Sequence, residues 1–174
     1  MKTVLLLRHA KSAWDDQGLS DHNRPLNRRG EKAARAMAEH LAAHGPQPDL
    51  ILCSTAIRAR QTLAPLVDLL RPAPPISLEK GLYLAPEDML LARLRDLPQE
   101  VGVVLLIGHN DGIWQLAEVL AGHGKATSLA ALREKYPTGT LATLAAPTMR
   151  WPDLEVGSAE LLAFVRPRDL MASA

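Results

Sequence analysis

Three stretches of this chain, Thr3-Val4-Leu5-Leu6-Leu7, Leu50-Ile51-Leu52-Cys53 and Val103-Val104-Leu105-Leu106-Ile107, are short, nearly unbroken apolar runs with no helical period. A strand with one wet face alternates apolar and polar residues. An unbroken run of this length is suited to a strand covered on both faces. Each run is followed by a segment whose apolar residues recur at spacings of three and four. Ala33, Ala34, Met37, Ala38 and Leu41 form one such stripe, capped by Asn27 and stopped at Gly45-Pro46. Leu63, Leu66, Val67 and Leu70 form the next, with Ser54 or Thr55 as its cap. Ile113, Trp114, Ala117 and Leu120 form a third, running up to Gly122.

The remaining segments fit the same alternation. Ile76 to Leu78 reads as a weak strand after the prolines at 72, 74 and 75. Pro86 opens a helix carrying Met89, Leu90, Arg93, Leu94 and Leu97. Ser128 to Lys135 reads as a short helix. Thr140 to Ala145 and Glu160 to Val165 read as closing strands, with a turn around Pro152-Asp153. Strands alternating with helices predict an α/β fold: a three-layer α/β/α sandwich on a mostly parallel sheet, forming one domain over residues 1–174. In such sheets ligands bind beyond the carboxyl ends of the strands, which locates a site before any motif is considered.

Beyond those ends lie Arg8 and His9 after the first strand, Ser54 through Arg58 after the second, and Gly108-His109-Asn110 after the fourth. Two arginines and two histidines converging beside a helix N-terminus describe a pocket for a compact multivalent anion such as phosphate. Arginine's planar fork gives bidentate bonds to oxygen. A neutral imidazole is nucleophilic near pH 7 once a carbonyl fixes its other nitrogen, so His9 is a candidate to take the phosphoryl group itself. Phosphoryl transfer asks mainly for positioning and for positive charge on the equatorial oxygens. Arg8, Arg58 and His109 can supply that charge without a metal.

Bulk composition narrows the alternatives. The chain has 20 Lys and Arg against 19 Asp and Glu, so no overall basic field invites nucleic acid. No apolar run approaches the roughly 20 residues of a membrane helix, and no membrane partner is expected. The chain has one cysteine, Cys53, and no leader pattern, which points to the cytoplasm. Cys53 and Arg58 have Cys-x4-Arg spacing, one residue short of the Cys-x5-Arg of cysteine phosphatases, and Cys53 reads as a buried strand thiol. His40 and His44, four apart on a helix, match no metal-ligand pattern, and no metal or other cofactor is expected. His22 and His123 read as loop residues. The basic cluster Arg24, Arg28, Arg29, Lys32 and Arg35 reads as one solvated side of the first helix and its approach, with a docking surface as the alternative, and it has no interleaved aromatic to suggest nucleic acid.

The segments Arg8-His9-Ala10-Lys11-Ser12-Ala13-Trp14, Arg58-Ala59-Arg60-Gln61-Thr62 and Gly108-His109-Asn110 resemble the three motifs of the histidine phosphatase superfamily, in order and over nearly the whole chain. The short length and the lysine after Arg-His-Ala are most similar to the small branch named for phosphohistidine phosphatase SixA. The resemblance implies a phosphoglycerate mutase-like fold with His9 as the phosphorylated nucleophile. It also implies a phosphate pocket of Arg8, His9, Arg58 and His109, the motif register selecting Arg58 over Arg60. Where many relatives carry an asparagine six residues after the nucleophile, this chain has Asp15, which is not assigned to phosphate. Lys11 either adds charge at the pocket mouth or is an ordinary solvated lysine.

The superfamily's usual proton donors have no clear counterpart. Glu79 and Asp111 are the two candidates. A missing acid would favour an N-linked phosphoryl substrate, because phosphohistidine can release neutral imidazole whereas an ester must expel an alkoxide. The expected partner is a phosphorylated substrate, with a phosphohistidine protein first. A small-molecule phosphomonoesterase and a phosphate-binding or phosphoprotein-binding module with little activity remain alternatives, and mutase activity ranks last. Oligomeric state is not legible.

Overall fold

The computed structural model describes residues 1–171. One seven-stranded sheet runs through it, built from β1 (Lys2–Arg8), β2 (Leu50–Ser54), β3 (Ile76–Glu79), β4 (Val103–Gly108), β5 (Ala121–Gly124), β6 (Leu141–Ala146) and β7 (Ala159–Val165). Their order across the sheet is β3-β2-β4-β1-β6-β7-β5. β3, β2, β4 and β1 are mutually parallel, as is the β5–β7 pair, while β6 runs antiparallel to both β1 and β7. The three apolar runs are thus the three adjacent central strands, where both faces are covered.

Covering them are α1 (Arg28–His44) and α2 (Ile57–Leu69) on one face, and α3 (Glu87–Arg95), α4 (Gly112–Leu120) and α5 (Ala126–Glu134) on the other. Alternation along each strand divides the core. Leu5, Leu7, Ile51, Cys53, Leu105 and Ile107 pack with Met37, Leu41, Leu63 and Leu66, whereas Val4, Leu6, Leu52, Val104 and Leu106 pack with Leu90, Leu94, Ile113 and Leu116. Full burial of each leucine or isoleucine contributes roughly 1.5–3 kcal/mol. These paired faces are the main stabilising layer, and they fix the sheet edge that carries the site. A last short helix, α6 (Pro167–Met171), follows β7.

Two expectations need correction. Asn27 caps α1 as its sequence predicts, accepting from the Gly30 N–H at 2.8 Å. Neither Ser54 nor Thr55 caps α2, however, because its N-cap is Ala56 and has no side-chain cap bond. The Ser54 hydroxyl serves the site instead. The chain beyond α4 also does not stay helical to Gly122, since Ala121–Gly124 forms β5 at the sheet edge and places His123 on a strand. A short Ala-Gly-His-Gly strand has no apolar alternation to show in sequence. It forms because the Gly122 backbone lies against Gly157, where a Cβ would fall 1.8 Å from the Gly157 oxygen.

The loop after β1 is tied to the start of α1 by Asn27 N–H donating to the Lys11 oxygen and Ala13 N–H to the Pro25 oxygen. Gly30 makes this approach possible, since a Cβ there would sit 2.0 Å from the Lys11 carbonyl oxygen. Gly30→Ala should therefore cost about 1–3 kcal/mol of stability, in the manner of an overpacked core. Gly81→Ala, which meets nothing within 4 Å, should leave the urea midpoint nearly unchanged. Equal midpoints for the two variants would refute this account of the loop.

Candidate active site

Four strand-end side chains meet where the fold rule places them. The His9 and His109 ring centroids are 5.1 Å apart, and the Arg58 guanidinium, from the first turn of α2, reaches both rings. Arg8, His9, Arg58 and His109 line one cavity of about 400 Å³, together with Ser12, Asp21, Arg24 and Asn110. The four basic residues predicted to converge do so.

Hydrogen-bond partners determine where the imidazole protons reside. His9 Nδ1 is 2.7 Å from the Ala10 carbonyl oxygen, which can only accept, so Nδ1 carries the proton and Nε2 bears the lone pair. Arg58 Nε donates to that Nε2 across 3.3 Å, a long bond that an incoming phosphoryl group can replace. Arg58 Nη2 donates to His109 Nδ1 at 3.3 Å, so the His109 proton is on Nε2, donating to Ser54 Oγ at 2.8 Å. Ser54 Oγ also accepts from the Ala56 N–H, which fixes the hydroxyl under the ring.

The electrostatics keep both rings uncharged. His9 is 6% exposed and His109 2%. Burial pushes His9 down to about 3. Its bond to Ala10 opposes that shift, while the fields of His109, Arg58 and Arg8 reinforce it. Burial and then Arg58 push His109 down to about 4, with Asp21 opposing and Arg8 adding to the fall. His9 is therefore a neutral imidazole at neutral pH, its Nε2 lone pair engaged by nothing but the long Arg58 bond, as a nucleophile requires. Arg8 donates through Nη1 to the Tyr136 oxygen at 2.9 Å. Its buried Nε has no partner among the described residues and is available to an anion.

Two further residues belong to this site: Arg24, which the sequence reading places on a solvated surface, and Asp21, which it does not assign. Arg24 is not part of a solvated helix side. It is buried, bonded to Ser12 Oγ at 2.6 Å and the Ala13 oxygen at 3.1 Å, with the Trp14 ring centroid 3.5 Å from its Cζ. Asp21 was not singled out at all. Its carboxylate accepts from Arg58 Nη2 at 3.0 Å, from Arg24 and from the Tyr83 hydroxyl, and its backbone oxygen accepts from Arg58 Nη1 at 2.6 Å. Desolvation would raise the Asp21 carboxyl, but the bonds from Tyr83, Arg24 and Arg58 prevail and hold it well below the usual carboxylate range. An Asp three residues before an Arg across a tight turn was the available signal. It was too common to read without knowing that the turn closes over α2.

Neither candidate proton donor is among the residues lining the cavity, although Asp111 is near enough to Arg8 for its charge to act on that guanidinium. Glu79, at the end of β3, is bound by Arg93 through bonds of 2.8 and 2.9 Å and is held below its ordinary range chiefly by them. Asp111 is an exposed residue at the start of α4. Neither lines the cavity, and nor does Asp15, which is exposed. Lys11 is exposed at the mouth. His22 lies in a single 3-10 turn (Asp21–Asn23), with Nε2 2.9 Å from Thr55 Oγ1. Cys53 is buried, its thiol pushed up to about 12 by burial, which suits a structural thiol. The His40 and His44 rings lie 5.3 Å apart, tilted at 51° to each other. No cluster of three or more metal-binding side chains occurs among the described residues.

The depressed histidines have a consequence for stability. Their unfolded forms take up protons below about pH 6.5, whereas the folded forms resist protonation until about 3 for His9 and about 4 for His109. The unfolded state therefore binds more protons in that window, and stability falls as pH drops from about 6.5 toward 4. Melting temperatures across this range should decline less steeply in His109→Gln than in the parent. Parallel declines would show that the His109 ring is not held neutral.

Comparison with known proteins agrees with this geometry. Residues 4–83 match the family model described as histidine phosphatase superfamily (branch 1). An uncharacterized protein of Mycobacterium tuberculosis is 38% identical over 165 residues, spanning 93% of this chain and all of its own length. Three similar solved structures carry the SixA name, and two of them are more than 30% identical to this chain. The one from Agrobacterium tumefaciens has a TM-score of 0.80 and 33% identity, covering 95% of this chain and 98% of its own. The one from Nakamurella multipartitia has a TM-score of 0.81 and 31% identity, covering 95% and 96%. With its sheet order, its strand-end histidine pair and these relatives in agreement, the chain belongs to the histidine phosphatase superfamily, within its SixA-like branch.

Proposed function

We propose that this phosphatase hydrolyses phosphohistidine, through a phosphoryl group carried on His9. The observation that supports this most strongly is the state of Asp21. It is the one carboxylate among the described residues lining the cavity, and it is held ionised by Arg24, Arg58 and Tyr83. An ionised carboxylate has no proton to give. His109, neutral with its own proton committed to Ser54, is no better as an acid near pH 7. A site without a general acid suits a leaving group that needs none.

The chemistry then balances in two steps. His9 Nε2 attacks phosphorus, the N–P bond of the substrate breaks, and its imidazole departs neutral when the other ring nitrogen already holds a proton. Water next attacks the phosphoryl group on His9, giving inorganic phosphate and returning Nε2 with its lone pair. Arg8 and Arg58 hold the equatorial oxygens, with Arg24 lining the same cavity, while the uncharged His109 steadies the Arg58 guanidinium through Nδ1 rather than supplying charge itself. The charge of the arginines stabilises the transferring group without a metal. Among the described residues no helix is long and apolar enough to cross a membrane. We place the reaction in the cytoplasm on the basis of a lone, buried, reduced cysteine.

Single-turnover assays on a phosphohistidine peptide and on an aryl phosphate ester test this reading. The peptide should be preferred by at least about a hundredfold in kcat/KM, since a positioned general acid is typically worth 10²–10⁴ to the substrate that needs one. His9→Ala should abolish turnover, Glu79→Gln and Asp111→Asn should change the peptide rate by less than about twofold, and a chelator should not slow it. A preference for esters would select a phosphomonoesterase. Phosphate binding with no turnover of either substrate would select a binding module.

A further inference from the structure

A second cavity of about 560 Å³ opens beside the first and shares Lys11 and Thr138 with it. Its walls come from the loop after β1, the first turns of α1, α5 with the turn that follows it, and the segment from Arg166 through α6. Its charge is one-sided. Lys11, Arg29, Lys135, Arg166 and Arg168 line it, against the single carboxylate of Glu134. Arg166 is engaged by Asp169 through paired bonds of 3.0 Å. Lys11, Arg29 and Lys135 are exposed and form no ion pair among the described residues. In a chain whose cations and anions nearly cancel, 20 against 19, carboxylates are available to neutralise such a group. Among the described residues that line this groove, Glu134 is the one carboxylate.

We propose that this groove docks an acidic segment of the protein that carries the phosphoryl group, immediately beside the phosphorylated side chain. Three observations favour a polypeptide over a small anion. The groove is larger than the reactive cavity, and its cations are contributed by four separate segments of the chain. Ala33, Ala131, Pro137 and Pro167 line the same groove and offer apolar contact for side chains that accompany acidic ones. It is also continuous with the reactive cavity, so a chain whose phosphoryl group sits against His9 has its flanking residues over Lys11 and Thr138. Unpaired cations facing an acidic partner raise the association rate and suppress partners of the wrong charge. The inference rests on the protein-phosphatase reading above, since a free small substrate would leave this groove unused.

The test compares the wild type with Arg29→Glu/Lys135→Glu, which leaves every residue of the reactive cavity in place. Three probes are used: a histidine peptide flanked by Asp and Glu, its Asn and Gln counterpart, and a small bisphosphate beside its monophosphate. Each peptide is measured unphosphorylated by fluorescence anisotropy and phosphorylated by turnover. The wild type should favour the acidic peptide by roughly tenfold at low salt, with the advantage shrinking as salt is raised. The double variant should lose that preference while hydrolysing phosphoramidate at the wild-type rate. Equal handling of both phosphopeptides by the wild type would overturn the groove and leave the phosphohistidine reading intact. Salt-dependent binding of the acidic peptide without turnover of its phosphorylated form would sustain the groove and overturn that reading. Preference for the bisphosphate, sensitive to the double variant and without any peptide preference, would assign the groove to a small second anion and overturn the proposal.

Discussion

The Arg58 guanidinium is the interaction on which the site depends. It is almost wholly buried, and its donors are divided among His9 Nε2, His109 Nδ1, the Asp21 backbone oxygen and the Asp21 carboxylate. A buried cation must be paired or it destabilises the fold. Losing a partner of a fully buried pair costs roughly 3–5 kcal/mol. The cost at Asp21 is smaller, because its side chain is 44% exposed and partly screened by water. Through its contacts Arg58 sets the tautomer of His109, occupies the lone pair of His9, helps depress the titration of both rings, and draws the 21–23 turn over the cavity.

That arrangement explains how four basic groups can share one crevice. Were all four charged, their repulsion in a desolvated site would be severe. Burial removes the charge from the two histidines, and Asp21 offsets the arginines. What remains is a neutral imidazole whose Nε2 lone pair needs no base to release it, beside the guanidinium groups of Arg8 and Arg58. Asp21 holds donors that a phosphoryl group would use, so substrate binding exchanges one anion for another rather than filling a bare cationic pocket. The same carboxylate, fixed in its ionised form, is unsuited to protonating a leaving group. Electrostatic compensation of the arginines and the absence of an available proton on Asp21 thus have one cause.

Parts of this were legible in the sequence because they depend on local pattern. Unbroken apolar runs identified the central strands, since strands covered on both faces cannot alternate. Apolar spacings of three and four identified the helices that cover them. Ala121–Gly124 was missed because its strand state comes from backbone pairing with β7 and the close approach to Gly157, which no side-chain period records. Arg24 was misread for a related reason. An arginine near a run of other cations resembles a solvated one until Trp14, Ser12 and Asp21 are brought around it.

The sequence alone determined the three-layer order, the strand ends and the identity of the residues standing there: Arg8 and His9, Arg58, and His109. Strand burial and chain connectivity dictate these, and both are written in the order of apolar residues. Only the tertiary structure decided which of those residues are charged, which nitrogen carries each proton, and which carboxylate shares their cavity. These depend on distances between residues far apart in the chain, as with Asp21 and Arg58 at 3.0 Å or His109 and Ser54 at 2.8 Å. Desolvation and hydrogen bonding act through space, so the chemistry of the site emerges only when the sheet has brought its strand ends together.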